Sequence, residues 1–267
     1  MPKIKLSRLK KKVKKFLPKL NPYKWLLIPF SIALCIPVVN TFNTYWDNYI
    51  RSYVAENVVR IQTPRGGGTG FHITTKFATY ILTNAHICDL SEDGNVWVEH
   101  NGSIVSKKIL YNSDYSDLCL VEPVKYSGLS FGDSSYVGEK LKVLGHPKLQ
   151  PLTLQEGEFI IASKVMIPER PIFSKEDKEK CSKPKQSIKT LTIEFFGAIL
   201  QQEICVITFN GLFTSVVIYP GNSGSPLVDS WGRVKGLMAA SNNETHWGVA
   251  VSLEDILSEL KRYEQQN

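Results

Sequence analysis

The positive charge of this 267-residue chain is concentrated at its N-terminal end. Ten of its 32 Lys and Arg residues lie within the first 24 positions, and the first acidic residue is Asp47. Without those ten cations the formal net charge falls from +7 to −3, so the rest of the chain lacks the basic surface that nucleic-acid binding needs. A hydrophobic content of 43% with 21% charged residues excludes a disordered chain and indicates a globular protein.

An uncharged and mostly apolar segment follows the basic tail. Residues 25–46 would form a helix about 33 Å long at 1.5 Å per residue, enough to cross the hydrocarbon core of a bilayer. The Lys and Arg on its N-terminal side predict a cytoplasmic tail over residues 1–24, a transmembrane anchor over 25–46, and a domain on the periplasmic or extracellular side. Membrane lipid is therefore a predicted partner. A cleaved signal peptide and an interfacial or buried segment remain open as alternatives.

Short β-rich runs separated by turns dominate the chain from residue 50 to residue 267. Seven such runs occur, bounded by turn signals such as Asn101-Gly102. They cover residues 57–61, 77–82, 141–144, 191–196, 204–209, 233–238 and 247–251. Many short strands with turns between them predict an all-β barrel or sandwich.

Two segments depart from the β pattern. Residues 167–187 are charged and contain proline, which predicts an exposed loop. Near the C-terminus, Ser252 has the position of a helix N-cap, with Asp255 three residues later. The apolar residues that follow have helical spacing and predict a C-terminal helix with one buried stripe. That stripe consists of Leu253, Ile256, Leu257 and Leu260.

The cysteines show neither a zinc-binding spacing nor an obvious disulfide framework. Their number is odd, and no CxxC pair occurs. We expect buried free thiols, although a bridge between Cys181 and Cys205 remains open in an exported domain. The five cysteines are Cys35, Cys88, Cys119, Cys181 and Cys205.

The stretch Gly221-Asn-Ser-Gly-Ser-Pro226 carries the strongest chemical signal. A serine hydroxyl that attacks a carbonyl group needs a base, and it needs backbone N–H groups aimed at the developing oxyanion. A glycine-rich turn supplies such N–H groups because glycine adopts the required backbone angles. We therefore predict Ser223 as the nucleophile, with the amides of Gly221 and Ser223 as oxyanion donors. Ser225 is a weaker candidate, since it precedes a proline and has no glycine two residues before it.

Two further motifs supply candidates for the base and its acid. Thr83-Asn-Ala-His-Ile-Cys88 places His86 just after a β-rich run, where an imidazole can face a cleft. Asp114-Tyr-Ser-Asp-Leu-Cys-Leu-Val121 places Asp117 at the start of an apolar strand, where it can hold the tautomer of an imidazole. The remaining histidines are expected to be structural. They are His72, His100, His146 and His246.

Taken in chain order, these motifs resemble those of the chymotrypsin-like serine peptidases, in which His, Asp and Ser follow one another in that order. Gly68-Thr-Gly-Phe71, Asp117-Leu-Cys-Leu and Gly221-Asn-Ser-Gly-Ser-Pro-Leu are similar to the family's three motifs, and the similarity spans roughly residues 53–265. Asn222 and Gly66-Gly-Gly-Thr-Gly70 are similar to the bacterial HtrA-like branch.

The resemblance implies a fold and an activity. The fold would consist of two six-stranded antiparallel β-barrels with a C-terminal helix, over residues 50–267. The activity would be that of a serine endopeptidase, which hydrolyses polypeptide substrates through an acyl-enzyme without a metal or an organic cofactor. A catalytically inactive binding module at the membrane, or a scaffold in which the basic tail is the functional part, is the alternative. The oligomeric state stays open.

The departures from the family pattern carry further expectations. The HtrA branch's PDZ module and activation through a new Ile-Val-Gly-Gly amino terminus are not expected. The usual bridge beside the histidine is not expected either, because Cys88 is displaced by one position. Alignment on the nucleophile loop predicts a primary pocket without an acidic group, which would accept a small or apolar side chain. Its floor and walls would be Val217, Ile218, Ala239, Ser241 and Gly248.

Overall fold

The computed structural model describes residues 44–171, 178–179, 181, 186–195, 198–241 and 247–266. The predicted basic tail and residues 25–43 of the predicted anchor lie outside the described residues. In the part of the chain that is described, no helix is both long and apolar enough to cross a bilayer. Residues 44–55 are helical (α1). The chain divides into two units, and the second, Ile50–Asn267, contains all of the strands that the structure describes.

Six antiparallel strands close into a barrel in the first half of this unit. They are β1 (Val58–Thr63), β2 (Gly66–Thr74), β3 (Thr79–Thr83), β4 (Asn95–His100), β5 (Ser103–Asn112) and β6 (Cys119–Val121). Their order is β1-β2-β3-β6-β5-β4, and the pairing of β1 with β4 closes the ring. Alternation along the strands determines which side chains point inward, as Val96 and Val98 are buried while Trp97 between them is 46% exposed.

Seven strands form a second sheet. They are β7 (Lys140–Gly145), β8 (Thr153–Pro171), β9 (Gln186–Phe195), β10 (Ala198–Thr214), β11 (Pro226–Val228), β12 (Val234–Ser241) and β13 (Gly248–Ser252). The order is β13-β12-β11-β7-β8-β10-β9, and an additional pairing of β13 with β10 joins six of the seven into a closed ring. The predicted all-β fold with a closed six-stranded barrel and a C-terminal helix is confirmed. Strand β9 is an addition that pairs with β10 outside the ring.

Strands β8 and β9 extend into a region where the sequence predicted a loop. The prediction of a loop over residues 167–187 is wrong at both ends, because β8 continues to Pro171 and β9 begins at Gln186. In this region β10 lies between the two strands, with Ile204 opposite Pro171 and Ile207 opposite Gln186. Backbone pairing to a shared central strand stabilises the extended conformation despite the charged, proline-containing sequence. Residues 172–177, 180 and 182–185 of the predicted loop lie outside the described residues.

A short helix, α2 (Ala85–Cys88), follows β3. The C-terminal helix α3 (Leu253–Gln266) contacts β10, β12 and β13. The predicted N-cap is confirmed, because the backbone N–H of Asp255 donates to Oγ of Ser252 at 3.2 Å. Ile256 and Leu260 are buried as the stripe requires, but Leu257 is 44% exposed and was wrongly included in the stripe.

Two disulfides join the described cysteines. Cys88 is bonded to Cys119, and Cys181 is bonded to Cys205. The expectation of free thiols is therefore wrong for these four cysteines. The partner of Cys88 lies 31 positions later, in the strand that pairs with β3, so only the folded sheet makes the two cysteines neighbours. The bridge between Cys181 and Cys205, which the sequence left open, is present.

Candidate active site

His86 and Asp117 meet at the end of two paired strands. β3 ends at Thr83 and β6 begins at Cys119, and these two residues lie opposite each other in the sheet. After β3 the chain enters the short helix α2 (Ala85–Cys88), which carries His86. The turn before β6 carries Asp117. The pairing of the strands therefore brings the two side chains together.

The contact between the two side chains is a hydrogen bond with a defined direction. Nδ1 of His86 lies 2.8 Å from Oδ2 and 3.0 Å from Oδ1 of Asp117, and the backbone N–H of His86 donates to Oδ1 at 3.0 Å. An ionised carboxylate only accepts, so Nδ1 carries the proton and Nε2 keeps a lone pair. Asp117 is 5% exposed and the side chain of His86 is 48% exposed. The imidazole is thus an oriented base that a substrate can reach.

The surroundings of His86 raise its pKa above the ordinary value. Burial of the ring lowers the pKa, but the negative charge of Asp117 and the hydrogen bond to it raise the pKa by more. Asp89 adds a smaller increase through its charge. A base whose pKa lies near the working pH is effective in both directions of proton transfer, which suits a general acid–base role.

The turn that carries Asp117 is held from two sides. Ser113 accepts two backbone N–H groups of the turn and donates its hydroxyl to Glu259 of α3 at 2.6 Å. Asn84, the residue before α2, donates Nδ2 to the carbonyl oxygen of Asp117 at 3.0 Å. Asp114 lies in the same turn and is exposed, whereas the predicted acid Asp117 is buried and contacts the imidazole.

The serine-containing turn depends on two glycines with positive φ angles. Gly221 has φ +96° and Gly224 has φ +85°, both in the region that other residues rarely adopt. A side chain at Gly224 is also impossible on steric grounds, because its Cβ would lie 1.9 Å from the carbonyl oxygen of Thr69. The turn is therefore built against strand β2.

Hydrogen bonding separates the amides of this turn into two groups. Three N–H groups donate to nearby carbonyl oxygens at 2.8 to 3.0 Å. These are Asn222 to Tyr219, Gly224 to Met238, and Ser225 to Asn222. In the described ranges the N–H groups of Gly221 and Ser223 donate to no other protein group. Two donors, two residues apart, are left for a ligand, and an oxyanion needs such a pair.

The two serines of the turn differ in accessibility. Ser223 is partly exposed, and its Oγ donates to the carbonyl oxygen of Ala239 at 3.2 Å. Ser225 is fully buried, and a Cβ at Gly145 would lie 2.0 Å from its Oγ. Between the residues that are described, no hydrogen bond joins Ser223 to His86. Of the three predicted triad members, the structure thus places His86 and Asp117 in contact and directs the hydroxyl of Ser223 elsewhere.

A known protein family accounts for most of this domain. The model of the trypsin-like peptidase domain matches residues 68–237, more than half of the chain. The chain belongs to the trypsin-like peptidase family. The predicted family and the predicted serine endopeptidase class are thereby confirmed. No curated protein has a significantly similar sequence.

Solved bacterial proteases share the fold of this peptidase. The active form of the Rv3671c protease of Mycobacterium tuberculosis has a TM-score of 0.59 at 19% identity, over 79% of this chain and 82% of that one. The serine endoprotease of Yersinia pestis has a TM-score of 0.57 at 19% identity, over 81% and 66% of the two chains. The HtrA-type protease AlgW, solved with a tripeptide, has a TM-score of 0.57 at 17% identity, over 80% and 62%.

The predicted pocket residues of the peptidase are placed in different environments. Ile218 is 7% exposed and belongs to the hydrophobic core of the second ring, whereas Val217 is 44% exposed. Ala239 is buried, and its carbonyl oxygen accepts the hydrogen bond from Oγ of Ser223. Ser241 is exposed. A Cβ at Gly248 would lie 3.6 Å from Cγ2 of Ile218, so these two predicted pocket residues are neighbours.

Several residues that hold the site together were not predicted from the sequence. Thr69 lies within the motif Gly68-Thr-Gly-Phe71, but nothing in that motif shows that its hydroxyl reaches the serine-containing turn. Asn84 lies beside His86 and could have been suspected from that position. Gln155 accepts a hydrogen bond from Nδ2 of Asn222 at 2.8 Å, and no sequence signal indicated it. In the described ranges, no three His, Cys, Asp or Glu side chains are grouped as a metal site requires.

Proposed function

We propose that this peptidase is a membrane-anchored serine endopeptidase in which His86, Asp117 and Ser223 act as a triad. The observation that carries the proposal is that the domain has both an imidazole oriented by Asp117 and two backbone N–H groups without a protein acceptor in the part of the chain that the structure describes. Those amides, of Gly221 and Ser223, flank the one partly exposed serine hydroxyl of the turn. A hydroxyl, a base and an oxyanion site are the three parts that acyl transfer needs.

The hydroxyl of Ser223 has to turn toward His86 before it reacts. Rotation about its Cα–Cβ bond to another staggered rotamer would release Oγ from the carbonyl oxygen of Ala239 and free it to bond to Nε2 of His86. Catalytic hydrogen bonds of free enzymes are often long or misaligned and tighten when substrate binds. The bond to Ala239 is accordingly the resting arrangement of the nucleophile.

Peptide hydrolysis then follows in two halves. His86 takes the proton of Ser223 as Oγ bonds to the scissile carbonyl carbon, and the resulting oxyanion accepts the N–H groups of Gly221 and Ser223. His86 returns the proton to the leaving nitrogen, the C–N bond breaks, and an acyl ester remains on Oγ. Water attacks the ester with His86 again as base, and the proton returns to Oγ as the acid product leaves. Asp117 stabilises the imidazolium in each half.

The substrate side chain next to the cleaved bond is small or apolar. This part of the proposal rests on the pocket predicted around Ala239 and Gly248, among whose five predicted residues none is acidic. An Arg or Lys side chain would have no opposite charge to pair with there, and burial of an unpaired cation is costly. Cleavage of a peptide library with each residue at that position tests this, and a preference for Arg or Lys would contradict it.

We also propose that the domain lies outside the cytoplasm, anchored by residues 25–46. The asymmetric charge of the tail supports this orientation. The two disulfides support it as well, because such bonds persist mainly in oxidising compartments. A membrane-impermeant label should reach the domain and not the tail in intact cells. A truncated chain that starts at Asn48 should be soluble and active. Labelling of the tail and not the domain would show the opposite topology and contradict the proposal.

A binding module without catalysis is the second candidate, and one observation favours it. The hydroxyl of Ser223 donates to Ala239 rather than to His86. Turnover of a mixed fluorogenic peptide pool separates the two candidates. The endopeptidase proposal predicts measurable hydrolysis that falls by about 10⁶ in Ser223→Ala. Ser225→Ala is the matched control and should retain most of the activity. Equal background rates for the native protein and Ser223→Ala would support the binding module.

A further inference from the structure

Thr69 of strand β2 is fully buried and is not one of the proposed catalytic residues. Its hydrogen bonds nevertheless connect four segments of the domain. Its backbone N–H donates to the carbonyl oxygen of Ser223 at 2.8 Å, and its hydroxyl donates to the carbonyl oxygen of Gly221 at 2.8 Å. The backbone N–H of His146 donates to the same hydroxyl at 2.9 Å. The hydroxyl of Thr83 donates to the carbonyl oxygen of Thr69 at 2.8 Å.

The orientation of the Thr69 hydroxyl is fixed by its two partners. The N–H group of His146 can only donate, and the carbonyl oxygen of Gly221 can only accept. The hydroxyl proton must therefore point at Gly221. This makes a directed chain of hydrogen bonds from the end of β7, through a side chain of the first barrel, to the serine-containing turn.

Thr69 fixes the peptide plane between Gly221 and Asn222. The carbonyl end of that plane accepts the Thr69 hydroxyl, and its N–H end donates to the carbonyl oxygen of Tyr219 at 3.0 Å. Gly221 has φ +96° and no Cβ, so steric hindrance restrains the turn little at this residue. Hydrogen bonds to the plane have to supply the missing restraint.

Thr69 fixes the plane between Ser223 and Gly224 in the same way. Its carbonyl end accepts the N–H of Thr69, and its N–H end donates to the carbonyl oxygen of Met238 at 2.8 Å. The two planes held by Thr69 alternate with the planes that carry the amides of Gly221 and Ser223. Those two amides are the available donors of the turn, so their direction depends on the planes on either side.

The geometry points to Thr69 as a positioning residue for the oxyanion donors, an inference that rests on the proposed acyl transfer. Its hydroxyl holds the Gly221–Asn222 plane, and its amide holds the Ser223–Gly224 plane. Together they set the directions of the N–H groups of Gly221 and Ser223 on the adjoining planes. Loss of the hydroxyl releases the glycine plane and disperses the donors, while the His86–Asp117 pair stays in place.

Replacement of Thr69 by Val tests this, because Val keeps the shape of the side chain and lacks the hydroxyl. We expect kcat to fall about 10- to 100-fold with KM changed less than about threefold, since removal of a whole oxyanion donor costs about 10² to 10³. The rate of fluorophosphonate labelling should fall in parallel, because the phosphonyl oxygen occupies the oxyanion position. Thr69→Ser, which keeps the hydroxyl, should restore both rates. The acid limb of the pH profile should not move.

Thr63→Val is the matched control. Thr63 is also buried in the first barrel, and its hydroxyl also donates to a backbone carbonyl, that of Gly66 at 3.0 Å. It should cost similar stability and leave kcat unchanged. Should Thr69→Val not fold, Thr69→Ala replaces it, because it lacks the hydroxyl and adds no atoms.

The outcomes separate this inference from the proposed function. If the native protein is labelled at Ser223 but Thr69→Val keeps the native kcat, the positioning role of Thr69 is overturned and the proposed function stands. A kcat loss of equal size in Thr63→Val, or no rescue by Thr69→Ser, would reduce Thr69 to a structural residue. Absence of any labelling at Ser223 in the native protein would overturn the proposed function itself.

Discussion

Cys88 and Cys119 form a disulfide that lies two residues beyond His86 and two residues beyond Asp117. One end is in the helix of the proposed base, and the other is in the strand that follows the proposed acid. The bridge therefore fixes the same two backbone segments whose side chains form the 2.8 Å hydrogen bond. Strand pairing and a covalent link act together on this contact.

Removal of this bridge should affect both stability and activity. For the double variant Cys88→Ala/Cys119→Val we expect a loss of about 3 to 4 kcal/mol in the free energy of unfolding, because the bridge closes a loop of 31 residues. We also expect a lower kcat at a temperature where the variant is still folded, since the imidazole loses a restraint. Urea unfolding and steady-state kinetics measure the two effects.

The second bridge is the control for that experiment. Cys181–Cys205 closes a loop of 24 residues, so its loss should cost about the same in stability. Cys205 is on β10 of the second sheet, whereas His86 follows β3 of the first barrel, so kcat of the folded variant should stay near the native value. An equal loss of kcat in both double variants would show that stability alone explains the effect.

Asp117 and Asp114 should respond very differently to the same substitution. Asp117→Asn should lower kcat by about 10⁴ with little change in KM, because an amide no longer selects the tautomer with the proton on Nδ1. Asp114 is exposed, and the carboxylate bonded to Nδ1 of His86 is that of Asp117, so Asp114→Asn should be nearly silent. Steady-state kinetics with one peptide substrate compare the two. The reverse ranking would mean that a different acid orients His86.

The raised pKa of His86 predicts where activity is lost on the acidic side of the pH–rate profile, its acid limb. A base must be unprotonated to take the serine proton, so kcat/KM should fall as the pH drops through the pKa of His86 in the free enzyme. Because the Asp117 carboxylate holds that pKa above 6.5, the midpoint should lie above 6.5. The charge of Asp89 contributes to the shift, so Asp89→Asn should move the limb to lower pH without lowering the plateau. A midpoint at or below 6.5 would contradict the geometry.

The burial of His72 predicts a separate pH dependence, which affects the free energy of unfolding and not the activity. Burial lowers its pKa from 6.5 to about 4, and its ring contacts the carbonyl oxygen of Asn57 and the N–H of Val124. The unfolded chain binds the proton more readily, so stability is full above pH 6.5 and is lost as the pH falls toward 4. The loss should be about 3 kcal/mol. Denaturant unfolding at pH 7.5 and pH 4.5 measures it, and His72→Gln should remove this component. An unchanged difference in the variant would assign it to other groups.

Local patterns made part of this architecture predictable. The β-rich runs beside His86 and Asp117 have strand composition, and Ser252 with Asp255 marks a helix start, so the sequence contains the information for these elements. The extension of β8 to Pro171 was missed because its charged sequence has no intrinsic strand preference. Pairing with a neighbouring strand, which a linear pattern does not show, makes it extended.

The contacts that join distant segments were not predictable. The bond between Cys88 and Cys119 depends on the pairing of β3 with β6. The hydrogen bonds of Thr69 depend on how the first barrel meets the turn of Gly221 and Ser223. In each case the residue type was visible in the sequence, but the partner was determined by the tertiary fold.

Mapping of a fluorophosphonate adduct by mass spectrometry tests the central claim most directly, because such a probe reacts with an activated serine. The account predicts a single adduct on Ser223 of the native protein, strongly reduced labelling in His86→Ala, and native labelling in Ser225→Ala. An adduct on Ser225, or a native protein that is folded and remains unlabelled, would contradict it.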